Sequence, residues 1–138
     1  MKLKNKVVLV TGSSRGIGRA TALAFAKEGC HVVVNYLKEK KLAEAVGQEL
    51  TIQADVAKFA EFKAMIEKIV KQFGRLDILV NNAGIIIQTN QDYQQITDEV
   101  FDRTIAVNLK GVFNGIKLVA PIMKKQGQGR IINQVFSG

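Results

Sequence analysis

The run Val7-Val8-Leu9-Val10-Thr11-Gly12-Ser13-Ser14-Arg15-Gly16-Ile17-Gly18 constrains this chain more than any other stretch: an apolar strand breaks into closely spaced glycines and passes directly into a helical pattern. Val and Leu without polar alternation suit a parallel strand buried on both faces. Gly12 permits a tight turn, Gly16 admits a close backbone approach by phosphate oxygens, and Gly18 lets the helix pack near the strand. The free N–H groups and positive dipole end of that helix then face an anion. The spacing predicts a cradle for a dinucleotide pyrophosphate formed by Gly12, Ser14, Arg15, Gly16, Ile17 and Gly18. A glycine-rich turn also serves packing alone; its place between a buried strand and an amphipathic helix is what favours the cradle.

A chain of 138 residues that is 47% hydrophobic can bury a sizeable core, and no linker or low-complexity segment interrupts it, so residues 1–138 are read as one domain. The single cysteine, Cys30, excludes an internal disulfide framework and lies in an apolar strand pattern that suits a buried thiol. No signal-peptide pattern opens the chain and no apolar run approaches membrane-spanning length, so a cytoplasmic protein with no membrane partner is expected. The net charge of +8 arises from 20 Lys and Arg scattered among 12 Asp and Glu with little aromatic interleaving, which argues against a nucleic-acid face. No metal site is expected.

Strands are predicted near 6–11, 31–36, 50–54, 77–81 and 129–135, with helices near 16–28, 39–47, 58–73 and 98–125. Such alternation specifies an α/β, doubly wound parallel sheet, Rossmann-like, with strand order 3-2-1-4-5. Its crevice lies at the carboxyl ends of strands 1 and 4, where the order reverses. The interval from Tyr36 to Asp55 is short and leaves little room for the helix at 39–47.

Three further groups fall near that crevice. Asp55-Val56 can meet an adenine ring, the carboxylate accepting from its amino group, or Asp55 can instead cap the helix near 58. Asn81-Asn82-Ala83-Gly84 ends a buried strand; paired amides can tie neighbouring strands, while Ala83 and Gly84 leave room for a flat ligand. Asn108 is a polar residue on an otherwise apolar helix face, where Asn is a poor helix former, which favours a functional or water-binding role.

With Thr11-Gly12-x-x-x-Gly16-x-Gly18, Asp55-Val56, Asn81-Asn82-Ala83-Gly84, Val107-Asn108 and Gly129-Arg130-Ile131-Ile132-Asn133 in this order, the chain resembles the short-chain dehydrogenase/reductase family, closest to its 3-oxoacyl-[acyl-carrier-protein] reductase branch. The resemblance implies hydride transfer between a nicotinamide and a carbonyl or alcohol, a ketone or acyl-thioester substrate, and acyl carrier protein as a partner. It implies Asn108 as the active-site asparagine that holds a proton-relay water, Asn81 and Gly84 on the nicotinamide side, and Asp55 on the adenine side. Where an NAD-selective site usually carries an acid, this chain has Asn35 and Tyr36, while Arg15 and Lys38 can pair with a 2′-phosphate, so NADP(H) is the expected cofactor.

The departures bear on catalysis. The family serine is expected at position 136, which is Phe136; Ser137 is one residue late, and one step along a strand turns a side chain to the other face. The catalytic Tyr-x-x-x-Lys expected beyond is absent from these residues, so the chain reads as the cofactor half of such an enzyme, truncated after the fifth strand and inactive alone. The one Tyr-x-x-x-Lys present, Tyr36 to Lys40, follows the second strand on the adenosine side and is chance spacing; Tyr93 has Thr97 four residues on. Helix 98–125 carries Val100, Ile105, Leu109, Val112, Phe113, Ile116 and Val119, more than one sheet-facing stripe needs, so a homo-oligomer is expected.

Overall fold

Period-two alternation along the central strands sorts their side chains into two cores, one on each face of a parallel sheet. The computed structural model describes residues 2–87 and 92–135. Among them β1 (Val7–Val10), β2 (His31–Tyr36), β3 (Leu50–Gln53), β4 (Ile78–Asn81) and β5 (Arg130–Asn133) form one sheet in the order β3-β2-β1-β4-β5. Every pairing is parallel, with Val8 opposite Val32 on one side and Ile78 on the other. The predicted doubly wound sheet and its strand order are therefore observed.

Val8, Val10, Val32, Val34 and Ile78 share one core with Ala22 of α1 (Gly16–Lys27) and Ala43 and Val46 of α2 (Lys40–Val46). Leu9, Val33, Ile52 and Leu79 share the other with α3 (Phe59–Phe73) and α5 (Gly111–Gln126). The α3 stripe Phe62, Met65, Ile66 and Ile69 is buried, each side chain contributing about 1.5–3 kcal/mol relative to exposure. Cys30 is buried in the first core, where burial pushes its thiol pKa up.

Strand pairing is fastened by polar groups at the sheet's lower rim. The Asp77 carboxylate, wholly buried, accepts the Val7 N–H at 2.9 Å and two-pronged bonds from the Arg75 guanidinium at 2.6–3.0 Å. Gln126 near the end of α5 donates to the Leu76 carbonyl at 2.9 Å and accepts its N–H at 3.0 Å, tying helix to sheet.

The helix predicted near 39–47 forms as α2 despite the short interval: seven residues suffice to bury Ala43 and Val46 before Gly47, with φ of 70°, ends it. The structure corrects two other expectations. The helix predicted over 98–125 is not uniform, since α4 (Asp98–Ile105) and α5 are joined by a π-helical turn, Ala106–Lys110, centred on Asn108. And an apolar run does reach membrane-spanning length: the continuous helix Asp98–Gln126 qualifies by length and composition, with a mean hydropathy of 1.3 in its most apolar window. It passes because it carries two apolar faces: Val119 and Met123 pack on the sheet, while Leu109 and Phe113 are exposed.

Candidate functional site

The carboxyl ends of β1 and β4 diverge where the strand order reverses, and a cleft of about 710 Å³ opens there. This is where doubly wound sheets place their ligands, and the volume lies in the range of small-molecule sites. Its floor is the turn after β1. Gly12 has φ of +59° and no room for a side chain, since a Cβ would come within 2.8 Å of the Ala83 Cα. Gly16 also has positive φ, +60°, yet a Cβ there would meet nothing within 4 Å, so this backbone faces open space. At Gly18 a Cβ would run into the Gly12 carbonyl and Asn82 Nδ2, as close helix–strand packing requires.

Buried side chains hold this turn. The Thr11 hydroxyl donates to the Val80 carbonyl at 3.4 Å and accepts the N–H groups of Asn82 and Ala83 at 3.0 and 2.9 Å. Asn82 Nδ2 donates to the carbonyls of Thr11 and Gly12 at 3.1 and 3.0 Å. Asn35, 2% exposed, accepts the Gly12 N–H at 3.0 Å and donates to the carbonyls of Ile52 and Ala54 at 3.3 and 3.2 Å. These bonds tie β1, β2, β3 and β4 together beneath the cleft. Arg15 immediately precedes α1 and its side chain makes no capping bond, so the first N–H groups of the helix face the opening without a capping side chain.

Of the residues singled out from sequence, Gly12, Ser14, Arg15, Gly16, Ile17, Gly18, Asn35, Tyr36, Lys38, Asp55, Val56, Ala83 and Gly84 all line this cleft. Asn81 does not: it is buried behind the wall, its amide donating to Asn133 Oδ1 at 3.0 Å, so it is a tie between β4 and β5. Its neighbour Asn82 lines the cleft instead, with Glu39, Arg103 and Val107. The strand period gave the signal for the exchange, since adjacent residues point to opposite sides.

Asp55 lines the cleft and is held by two hydrogen bonds. One carboxylate oxygen accepts the Ala57 N–H at 3.0 Å, and the other accepts from Arg103 of α4 at 2.9 Å. The helix that follows is led by Lys58 without a side-chain cap, so Asp55 shapes the turn before α3 rather than capping it. Arg103, distant in sequence, had no local signal. Asn108 does not line the cleft; its Oδ1 accepts the Ile85 N–H at 2.7 Å and its Nδ2 donates to the Ile85 carbonyl at 2.8 Å. The amide is thus engaged at both ends and braces the π turn against the segment after β4. Phe136 and Ser137 lie outside the described residues. Tyr93 sits in a 3-10 turn, Tyr93–Gln95, is 77% exposed and is not among the residues that line the cleft.

A doubly wound sheet with a glycine turn beneath its switch-point cleft is the architecture of a dinucleotide-binding fold. The family model described as short chain dehydrogenase matches residues 6–137, and the chain belongs to that family. Among curated proteins it is 49% identical to a 3-oxoacyl-[acyl-carrier-protein] reductase of Staphylococcus epidermidis, over 94% of this chain and 55% of that protein. It is 44% identical to the protein of that description from Synechocystis sp., over 95% of this chain and 56% of the other. The crystal structure of levodione reductase matches with a TM-score of 0.85 at 34% identity, covering 94% of this chain and 54% of that one. The chain spans about half the length of the relatives it matches.

Proposed function

We propose that the cleft binds NADP(H) and serves a reductase of ketones, the substrate class being 3-oxoacyl thioesters presented by acyl carrier protein. The observation that carries the reading is the start of α1: uncapped N–H groups and the side-chain-free Gly16 face the opening, which is what a pyrophosphate needs. Gly12 packs directly against Ala83, which holds the ends of β1 and β4 together as the floor of the cleft. Arg15 and Lys38 flank the end of β2, where a 2′-phosphate would be recognised. Asp55 and Val56 offer a carboxylate and a backbone N–H to adenine, with Asp55 oriented by Arg103. When bound, the nicotinamide supplies or accepts the hydride. Asn108 acts by positioning the Ile85 backbone and the π turn, of a kind often found at functional sites. The similarity to 3-oxoacyl-[acyl-carrier-protein] reductases supports the substrate class. Residues 1–138 act as one cofactor-binding domain of a cytoplasmic oligomer.

A second reading, a nucleotide-binding module without turnover, is favoured for these 138 residues by the exposed position of Tyr93, which leaves the nicotinamide end without a phenol among the described residues. General acid catalysis contributes about 10² to 10⁴ in rate, so the chain alone should enhance NADPH fluorescence on binding and reduce no ketone. Arg15→Ala should weaken NADPH by about 1.5–3 kcal/mol and NADH little. Equal affinity for both nucleotides would remove the NADP(H) preference. Reduction of an acetoacetyl thioester by the 138-residue chain, abolished by Tyr93→Phe, would point to a relocated catalytic acid.

A further inference from the structure

The ribose end of the cleft contains a carboxylate as well as cations. Arg15 Nη1 lies 3.0 Å from Glu39 Oε1, and both residues line the cleft. The two come from different elements: Arg15 leads α1 and Glu39 leads α2, so their ion pair spans the mouth between the glycine turn and the segment after β2. Their side chains are 74% and 37% exposed. Lys38, the other cation there, is exposed and joins no ion pair among the described residues.

We propose that Glu39 is a specificity-determining residue, a latch that holds Arg15 in the free chain and must be displaced before a 2′-phosphate can take the same guanidinium. The inference deepens the NADP(H) reading and rests on it. A guanidinium pairs two-pronged with a carboxylate or with a phosphate, and the two anions compete for one fork. An ion pair this exposed is weak, so a phosphate carrying about two charges can open it. The displaced carboxylate then remains beside that phosphate, and like charges so juxtaposed oppose binding. A cofactor with a free 2′-hydroxyl meets no such repulsion and leaves the Arg15–Glu39 pair intact. Glu39 therefore narrows the preference for the phosphorylated cofactor that Arg15 and Lys38 would otherwise confer, and it does so through Arg15.

The test is a fluorescence titration of the 138-residue chain with NADPH and with NADH at low ionic strength, for the unaltered protein, Glu39→Gln, Arg15→Ala and the double variant. Glu39→Gln keeps the side chain's shape and the backbone carbonyl that accepts the Ala43 N–H, so the start of α2 is preserved. Removing the carboxylate should raise the preference for NADPH over NADH about three- to tenfold, and in the Arg15→Ala background that gain should shrink at least twofold. An unchanged or lowered preference in Glu39→Gln, or an equal gain in both backgrounds, overturns the latch while leaving the NADP(H) reading standing. Failure of all four proteins to bind either nucleotide overturns both.

Discussion

At the scale of single residues, the cleft depends on side chains that are fully used before any ligand arrives. Asn35, which with Tyr36 stands at the end of β2 where an NAD-selective site usually carries an acid, donates its amide to two carbonyls of the β3 end while its oxygen accepts the Gly12 N–H. An acid there would leave both carbonyls without that donor, so the fold itself calls for an amide at this position. Asp77 plays the corresponding part at the opposite rim. Burial alone would push its carboxyl up, but the bonds from Arg75 and the Val7 N–H and the nearby charges of Arg75 and Lys6 outweigh it and hold the pKa below the ordinary 3.8. A folded pKa below the unfolded one means the unfolded chain takes the proton first, so this contribution is full above the ordinary value and is lost as pH falls through the lower folded one. Denaturant unfolding should therefore show a loss of stability below about pH 4 that Asp77→Asn reduces, with the variant about 1–3 kcal/mol less stable at pH 7. The same pH profile in both proteins would exclude Asp77 as the source.

Among the elements, α5 shows how close packing seats a helix on the sheet behind the site. Gly115 has no space for a side chain: a Cβ would lie 2.7 Å from Asn81 Oδ1 and 3.1 Å from Leu79 Cδ2 and Phe62 Cζ. Close approach here seats α5 on β4 and α3, and the chain leading into α5 is the π turn that Asn108 braces against Ile85. Ala is the better helix former by up to about 1 kcal/mol, but overpacking costs about 1–3 kcal/mol, so Gly115→Ala should lower stability on balance. Thermal and urea unfolding of that variant, with an exposed Ala24→Gly as reference, would measure it; a more stable Gly115→Ala would show that the contact relaxes freely. Thr97 illustrates a signal that sequence does carry, capping α4 by accepting the Val100 N–H at 3.2 Å.

At the scale of the whole molecule, the outer face of the α4–α5 helix presents a row of exposed apolar side chains. Phe101, Ile105, Leu109 and Phe113 recur every fourth residue and are 43–63% exposed, with Val100 and Ile116 beside them. An apolar stripe of this length is rarely left in water, and an isologous pairing of two copies would cover it. Sedimentation at tens of micromolar should show association, and Leu109→Glu, altering the most exposed of these side chains, should shift the chain towards monomer without loss of fold. A monomer in both cases would leave the stripe unexplained by self-association.

The chain's own pattern was enough to determine its class and layout. The uninterrupted Val/Leu run of β1, the regular alternation of strand and helix patterns and the glycine turns favour a parallel doubly wound sheet, because burial on both faces and right-handed crossovers leave few topologies. Tertiary structure decided how neighbouring polar residues divide the work: Asn82 reaches the cleft while Asn81 ties β4 to β5, because a strand turns successive side chains to opposite faces. It also decided which charges meet. Arg103 on Asp55 and Glu39 on Arg15 join residues 48 and 24 positions apart, and no local periodicity encodes a contact made only when separate elements converge on one cleft.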